Sequence, residues 1–137
     1  MKLIVIGAVA AGTSAAAKAR RNSENAQITI YEKDRFISYS GCGMPYYLGG
    51  EVEKAEELTP RDPAFFQSKY NVEIRTQHEV LSIDPVKKTV LVKNLVSGES
   101  FTDAYDTLIL ALGARAVTPR TRPPSATKWS PSRLVPA

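Results

Sequence analysis

A short run in which four apolar residues follow a lysine, Lys2-Leu3-Ile4-Val5-Ile6, leads directly into Gly7 and then Gly12, and this stretch limits the fold more than anything after it. An uninterrupted apolar strand of that length is what a parallel sheet buried on both faces requires. Ala10 to Arg21 follows with alanine-rich helix formers and closes on basic residues, which suit a helix C-terminus. Gln27 to Tyr31 (QITIY) is a second strand. Strand, glycine turn, helix and strand make a βαβ unit, so the chain is expected to be an α/β fold built on a parallel sheet.

The turn Gly7-Ala8-Val9-Ala10-Ala11-Gly12 sits where a dinucleotide fingerprint belongs. Its outer glycines allow the tight bend and the close helix-to-strand approach, and the N–H groups opening the helix can face a pyrophosphate. Val9 stands in place of the middle glycine, so the turn alone is a weak signal and a purely structural turn is the competing reading. Glu32 adds to it. The acid ends the second strand twenty residues after Gly12, where a carboxylate accepts hydrogen bonds from both hydroxyls of an adenosine ribose and favours an unphosphorylated 2′-hydroxyl. Taken alone, Glu32 reads as a solvated charge at a strand end. In register with the turn, it makes a nucleotide site the better reading.

Further along come a Ser/Gly stretch from Ser38 to Gly43, a short segment from Met44 to Leu48, and the pair Gly49-Gly50. Asp62 to Tyr70 is expected to be helical, with Asp62 as N-cap and Pro63 at the first helical position. Glu79–Ile83, Thr89–Lys93 and Ser100–Ala104, separated by Asp84-Pro85 and Ser97-Gly98, have the spacing of an antiparallel meander. Thr107 to Ala111 is apolar again and reads as a return to the parallel sheet. Residues 1–115 are therefore expected to form one Rossmann-like domain, a parallel sheet with an added three-stranded meander. Residues 116–137 carry five of the nine prolines without periodicity and are expected to be a disordered tail.

The formal charge of +4 is unevenly placed. No acid follows Asp106, and Arg115, Arg120, Arg122, Lys128 and Arg133 contribute +5, which leaves −1 on residues 1–114. A near-neutral folded part argues against nucleic acid, and the basic tail offers Trp129 as its only stacking ring. No apolar stretch is long enough to span a membrane, and the chain opens on a strand pattern rather than a leader, so a cytoplasmic protein is expected. One cysteine excludes an internal disulfide, and one histidine with one cysteine makes no metal site.

That cysteine, Cys42, lies between Gly41 and Gly43. The glycines leave its sulfur sterically open, and a following helix would aim a positive N-terminal end at the thiolate and lower its pKa. A lone cysteine is more often a buried, inert one. Here the chain returns toward the glycine turn just after the second strand, which brings the thiol toward whatever ring the nucleotide carries. Tyr47 occupies the place five residues on where a dithiol pair would need its second cysteine. Tyr46 and Tyr47 are expected to serve packing rather than catalysis, and His78 to begin a strand.

The runs GAVAAGTSAAAKARR, YEKDRFISYSGCGMPYYLGG, LTPRDPAFF, HEVLSID and YDTLILALGA resemble the N-terminal portion of the single-cysteine pyridine nucleotide-disulfide oxidoreductases, a family that includes coenzyme A disulfide reductase, NADH oxidase and persulfide reductases. The resemblance implies FAD lying along the βαβ unit, NAD(P)H as electron donor, and Cys42 as the redox-active thiol that reduces a disulfide, a persulfide or oxygen. It implies that Gly7, Ala8, Val9, Ala10, Ala11 and Gly12 hold the pyrophosphate, that Glu32 and Lys33 serve the ribose, and that the backbone of Val80 touches adenine. Ala111 to Gly113 would pass near the middle of the cofactor, with Leu112 replacing the usual threonine. It further implies coenzyme A contacts at Ser14, Lys18, Arg21 and Ser38, with a solvated basic helix end as the plainer reading of Lys18 and Arg21. Gly41 stands where coenzyme A reductases can carry asparagine, which keeps persulfide and oxygen open as substrates.

The family also has an NAD(P)H domain, a second flavin segment and a dimerisation domain that makes it homodimeric, and 137 residues hold none of these. With the resemblance ending near Thr118-Pro119, a truncated or frame-shifted product without turnover is expected. Two competing readings are a non-catalytic nucleotide-binding fragment and a binder of anionic surfaces working through the tail.

Overall fold

The computed structural model describes residues 1–114. The disordered-tail expectation for residues 116–137 lies outside them. The first strand, β1 (Lys2–Ile6), is an interior strand of a parallel sheet and is buried on both faces, as its apolar run requires. The helix α1 (Ala10–Asn22) carries the chain over one face to β2 (Gln27–Tyr31), which pairs in parallel with β1 from Lys2↔Gln27 to Ile6↔Tyr31.

After β2 come a 3₁₀ turn over Gly41–Gly43, a short helix α2 (Met44–Gly49), a second 3₁₀ turn over Ala55–Leu58, and α3 (Pro63–Tyr70). The Asp62 carboxylate accepts the Phe65 N–H at 2.8 Å, the N-cap that the sequence signals. A three-residue strand, β3 (Glu73–Arg75), then joins the outer side of β2. The chain makes its meander from β4 (His78–Asp84), β5 (Thr89–Asn94) and β6 (Ser100–Ala104), and returns to β1 through β7 (Thr107–Leu110). The parallel sheet runs β3-β2-β1-β7 and the antiparallel sheet β4-β5-β6.

Alternation along the strands divides the core in two. Leu3, Val5, Ile28 and Ile30 point to the helices and pack with Ala8, Ala16, Phe66, Val72 and Ile74. Ile4, Ile6 and Tyr31 point the other way and pack with Val90 and Val92 of the meander. The parallel sheet is thus a middle layer, with helices on one side and the antiparallel sheet on the other. Between the two sheets lies a polar connection: the Tyr31 hydroxyl donates to Asp103 at 2.8 Å, and the Lys2 ammonium pairs with the same carboxylate. Burial and that hydrogen bond push the Tyr31 phenol well above its ordinary range. Burial alone would raise the Asp103 carboxyl, but the hydrogen bonds from Lys2 and Tyr31 outweigh it and hold the group below its ordinary value.

Candidate functional site

The bend between β1 and α1 is built so that no side chain fits inside it. Gly7 has φ +104°, and a Cβ there would stand 2.2 Å from the Ala111 carbonyl oxygen. At Gly12 a Cβ would stand 1.8 Å from the Gly7 carbonyl oxygen. The first glycine therefore admits the end of β7, and the last lets the helix close onto the turn. Val9, where the middle glycine is missing, is the N-cap of α1 and offers no side-chain hydrogen bond to the first turn, which also contains no acid. Ala10 and Ala11 are exposed. The opening N–H groups of α1 are left to a ligand or solvent, and the helix dipole favours an anion there.

Glu32 is buried, at 6% exposure, just beyond β2. One carboxylate oxygen accepts the Ala8 N–H at 2.7 Å, and the other accepts the Asp34 N–H at 3.0 Å. No cation pairs with it among the described residues. Each oxygen keeps a further lone pair, so the carboxylate holds the turn in place and still has capacity for two hydroxyl donors. Lys33, beside it, is exposed.

The segment leading to Cys42 is tied back to this turn. Ser38 adopts φ +53° and its N–H donates to the Ala8 carbonyl at 3.1 Å, while the Ser40 N–H donates to Leu58 at 2.7 Å. Cys42 itself is exposed and free, within the 3₁₀ turn that precedes α2. Tyr46 and Tyr47 lie on α2, just after Cys42. They are exposed at 57% and 37%, so within the described residues neither is part of the core. The six-residue helix that carries them has no buried residue.

Between α1 and α3 lies a cleft of about 210 Å³, lined by Thr13, Ser14, Arg21, Arg61, Phe66 and Tyr70. Of the four residues that the resemblance assigns to substrate, Ser14 and Arg21 meet here. Lys18, exposed on the same helix, is not part of the lining, and Ser38 lies instead at the glycine turn. Arg61 was not signalled by any periodicity. The signal that could have found it is its place just before the Asp62 cap, which brings it to the start of α3. Arg20 is committed elsewhere. Its guanidinium donates to the carbonyls of Tyr70, Asn71, Ser23 and Glu24, joining the end of α1 to the end of α3.

The remaining positions divide by location. Ala111 donates its N–H to Ile6 at 2.8 Å and lies against Gly7, while Gly113 has φ +67° and open space around it. Val80 is half-buried on β4, next to a bulge that leaves Leu81 exposed. The His78 ring contacts the Thr76 carbonyl through Nδ1 at 2.7 Å and packs near Tyr31 and Phe101, a structural setting. Among the described residues no group of His, Cys, Asp and Glu could hold a metal ion, and no helix is long and apolar enough to cross a membrane.

Residues 1–129 match the family described as pyridine nucleotide-disulphide oxidoreductase. The chain belongs to that family. The match runs past Thr118-Pro119, where the motifs had placed the end of the resemblance. The coenzyme A disulfide reductase of Staphylococcus haemolyticus is 42% identical over 115 residues, 84% of this chain and 26% of the relative. Among solved structures, reduced CoADR-RHD of Bacillus anthracis superposes with a TM-score of 0.83 at 38% identity, over 87% of this chain and 21% of that one. The NAD-dependent persulfide reductase from A. fulgidus gives 0.83 at 37% identity, over 88% and 22%. The water-forming NADH oxidase from Lactobacillus brevis gives 0.82 at 35%, over 88% and 26%. The chain spans about a quarter of the length of the curated relatives it matches. Members of this oxidoreductase family are FAD-binding and NAD(P)H-dependent. The turn, the acid and the open helix start fit the ADP part of such a cofactor, since a Cβ would fill the cradle at Gly7 or Gly12.

Proposed function

We propose that the chain carries the FAD-binding segment and the redox thiol of an oxidoreductase that uses NAD(P)H to reduce a disulfide, a persulfide or oxygen through Cys42. The observation that carries the reading is the buried Glu32 carboxylate, without a cation partner among the described residues and bonded to the Ala8 N–H, which supports a role in accepting ribose hydroxyls beside the glycine turn. Residues Gly7 to Gly12 hold the pyrophosphate, Glu32 and Lys33 the ribose, and Val80, Ala111 and Gly113 the flanks of the cofactor. Bound FAD supplies the two-electron relay between a nicotinamide and sulfur.

Cys42 performs the sulfur chemistry. Its thiolate attacks one sulfur of a disulfide, forms a mixed disulfide, and releases the other half as a thiolate. Exposure of the thiol between two glycines gives the incoming sulfur access. Coenzyme A disulfide or a persulfide is the partner this reading favours, in a cytoplasmic setting that keeps an exposed single thiol reduced. Ser14, Lys18, Arg21 and Ser38 are the residues assigned to that partner.

A nucleotide-binding unit without turnover is the second reading, supported by the glycine turn and the Glu32 carboxylate, which address the nucleotide and need no chemistry at Cys42. The purified chain, mixed with FAD and followed by flavin fluorescence and absorbance, separates the two. Weak FAD binding that Glu32→Ala abolishes, without bleaching on NADH, is the expected result for this chain alone. Absence of FAD binding by a folded chain at high micromolar concentrations overturns the proposal.

A further inference from the structure

Among the described residues four that are not glycine have a left-handed backbone: Ser38 at φ +53°, Asn71 at +47°, Gln77 at +55° and Lys88 at +52°. Asn71 is the C-cap of α3, and Lys88 ends the turn between β4 and β5. Both are places where helices and hairpins commonly use such angles. Ser38 and Gln77 share a different circumstance, because both support Glu32. One oxygen of that carboxylate accepts the Ala8 N–H and the other the Asp34 N–H. The carbonyls of the same two residues are held in turn, Ala8 by the Ser38 N–H at 3.1 Å and Asp34 by the Gln77 N–H at 3.2 Å.

The turn that contains Gln77 also grips the backbone of the acid. The Glu32 N–H donates to the Arg75 carbonyl at 3.0 Å, and the Glu32 carbonyl accepts the His78 N–H at 2.9 Å. The Gln77 carbonyl accepts the Leu95 N–H at 2.8 Å, which ties the turn to the end of β5. A left-handed backbone is unfavourable for any residue with a Cβ, and it persists where the surrounding bonds determine it. The Gln77 side chain is exposed, so its part in this arrangement is played by its backbone. Two hydroxyls on adjacent carbons stand at a fixed spacing, and a carboxylate whose plane is already set meets both without losing rotamer freedom on binding.

We propose that Gln77 is a positioning residue, whose left-handed backbone holds Asp34 and, through the Asp34 N–H, sets the plane of the Glu32 carboxylate so that it selects a sugar with two adjacent hydroxyls. Ser38 braces the other oxygen through Ala8. The sugar rests on the nucleotide reading given above. The brace does not, because it consists of bonds within the chain. It gives the turn between β3 and β4, some seventy residues beyond the glycine turn in sequence, a share in hydroxyl selectivity without any contact to the ligand.

The test uses the whole 137-residue chain. ADP and 2′,3′-dideoxy-ADP, which lacks both hydroxyls, are titrated calorimetrically, and exchange of the Asp34 amide is followed by NMR without ligand. The parent is expected to bind ADP at least about tenfold tighter than the dideoxy compound. Gln77→Ala is expected to cut that ratio about threefold and Gln77→Val to bring it near unity, because a β-branched residue resists φ above zero most, while dideoxy-ADP affinity stays unchanged. Gln77→Gly and Gln77→Asn keep the ratio, since both accept the left-handed backbone with unlike side chains. Asp34 exchange is expected to quicken at least about tenfold in Gln77→Val and to stay unchanged in Gln77→Gly. Should Gln77→Val fail to fold, the alanine and glycine variants decide by the same two measurements. A ratio that survives both Gln77→Ala and Gln77→Val overturns the proposal, as does an equal loss of both ligands. A ratio lost as fully in Gln77→Gly as in Gln77→Val belongs to the glutamine side chain and also overturns it. ADP binding with a ratio indifferent to Gln77 removes the brace and leaves the nucleotide reading standing. A parent that binds no ADP, with an Asp34 amide that still follows Gln77, removes the nucleotide reading and leaves the brace.

Discussion

Replacing Gly12 by alanine sets two effects against each other, and the structure says which wins. Alanine is the better helix former by roughly 0.5–1 kcal/mol at an interior position. Against that gain, the new methyl would lie 1.8 Å from the Gly7 carbonyl oxygen and 3.3 Å from the Val5 side chain. To restore even a close contact of about 3 Å, α1 must withdraw by roughly 1.2 Å, because the opposing atom is backbone and cannot rotate away. Gly7 cannot yield instead, since the space on its own far side is filled by the Ala111 carbonyl. Withdrawal loosens Ala16 from Val5 and the sheet, and forced overpacking of this kind costs about 1–3 kcal/mol, here at the upper end.

The net expectation is a loss of about 2 kcal/mol, or on the order of 10 °C in melting temperature for a domain of this size. Circular dichroism melts of the variant and the parent measure it. Gly49→Ala is the matched control, because no atom lies within 4 Å of the added carbon. Its melt is expected to stay within about 2 °C of the parent. A Gly12→Ala chain that melts at or above the parent temperature would refute the steric reasoning, and with it the claim that this glycine exists to seat α1 on the turn.

Glu32→Gln keeps one acceptor oxygen but turns an amide NH₂ toward the Ala8 or Asp34 N–H, at an expected cost of about 1–3 kcal/mol by urea denaturation. Asp103 has its carboxyl held below the ordinary value in the folded state, so its contribution is present at neutral pH and disappears as the pH falls through that lowered value. Asp103→Asn should therefore be less stable than the parent by about 1–2 kcal/mol at pH 7, and the gap should narrow below about pH 4 in a series of urea midpoints. Arg20→Ala, which strips four carbonyls of their donor, is expected to cost about 1–3 kcal/mol, and Arg21→Ala less than about 0.5, by the same measurement.

The elements that could be read from residues alone are those whose neighbours are local. β1, α1 and β2 follow from an apolar run, a glycine turn and helix formers. The α3 N-cap follows from Asp62-Pro63, and the meander from its turn pairs. β3 escaped notice because three residues carry no periodicity, and Glu73–Arg75 is a strand only through its pairing with Thr29 to Tyr31. The second job of Glu32 was equally invisible. Its position at a strand end suggests a ribose, whereas the bond to Ala8 requires knowing that the turn folds back over it. Arg61 and Arg21 are forty residues apart in sequence, and no pattern places them in one cleft. Tyr46 and Tyr47 read as packing residues because aromatic side chains usually bury their area, and their exposure on α2 follows from the position of that helix, which the sequence does not show.

The pairing of β1 has a consequence for how such a chain is made. Ile4 lies between Thr29 on one side and Leu108 on the other, the first a short crossover away and the second near the end of the described chain. During synthesis the βαβ unit can form early, yet one edge of β1 stays bare until β7 has left the ribosome. The meander that shields Ile4 and Ile6 is also emerging late. Closing the sheet over such a span is slow by its topology, so the nascent protein holds an unpaired hydrophobic edge until β7 is available to pair with it. Beyond Lys2 at its start, β1 carries no charge and no bulge to guard its edge, since its final setting is interior. Chaperone occupancy of the nascent chain should fall when residue 110 emerges, and not at the completion of α1.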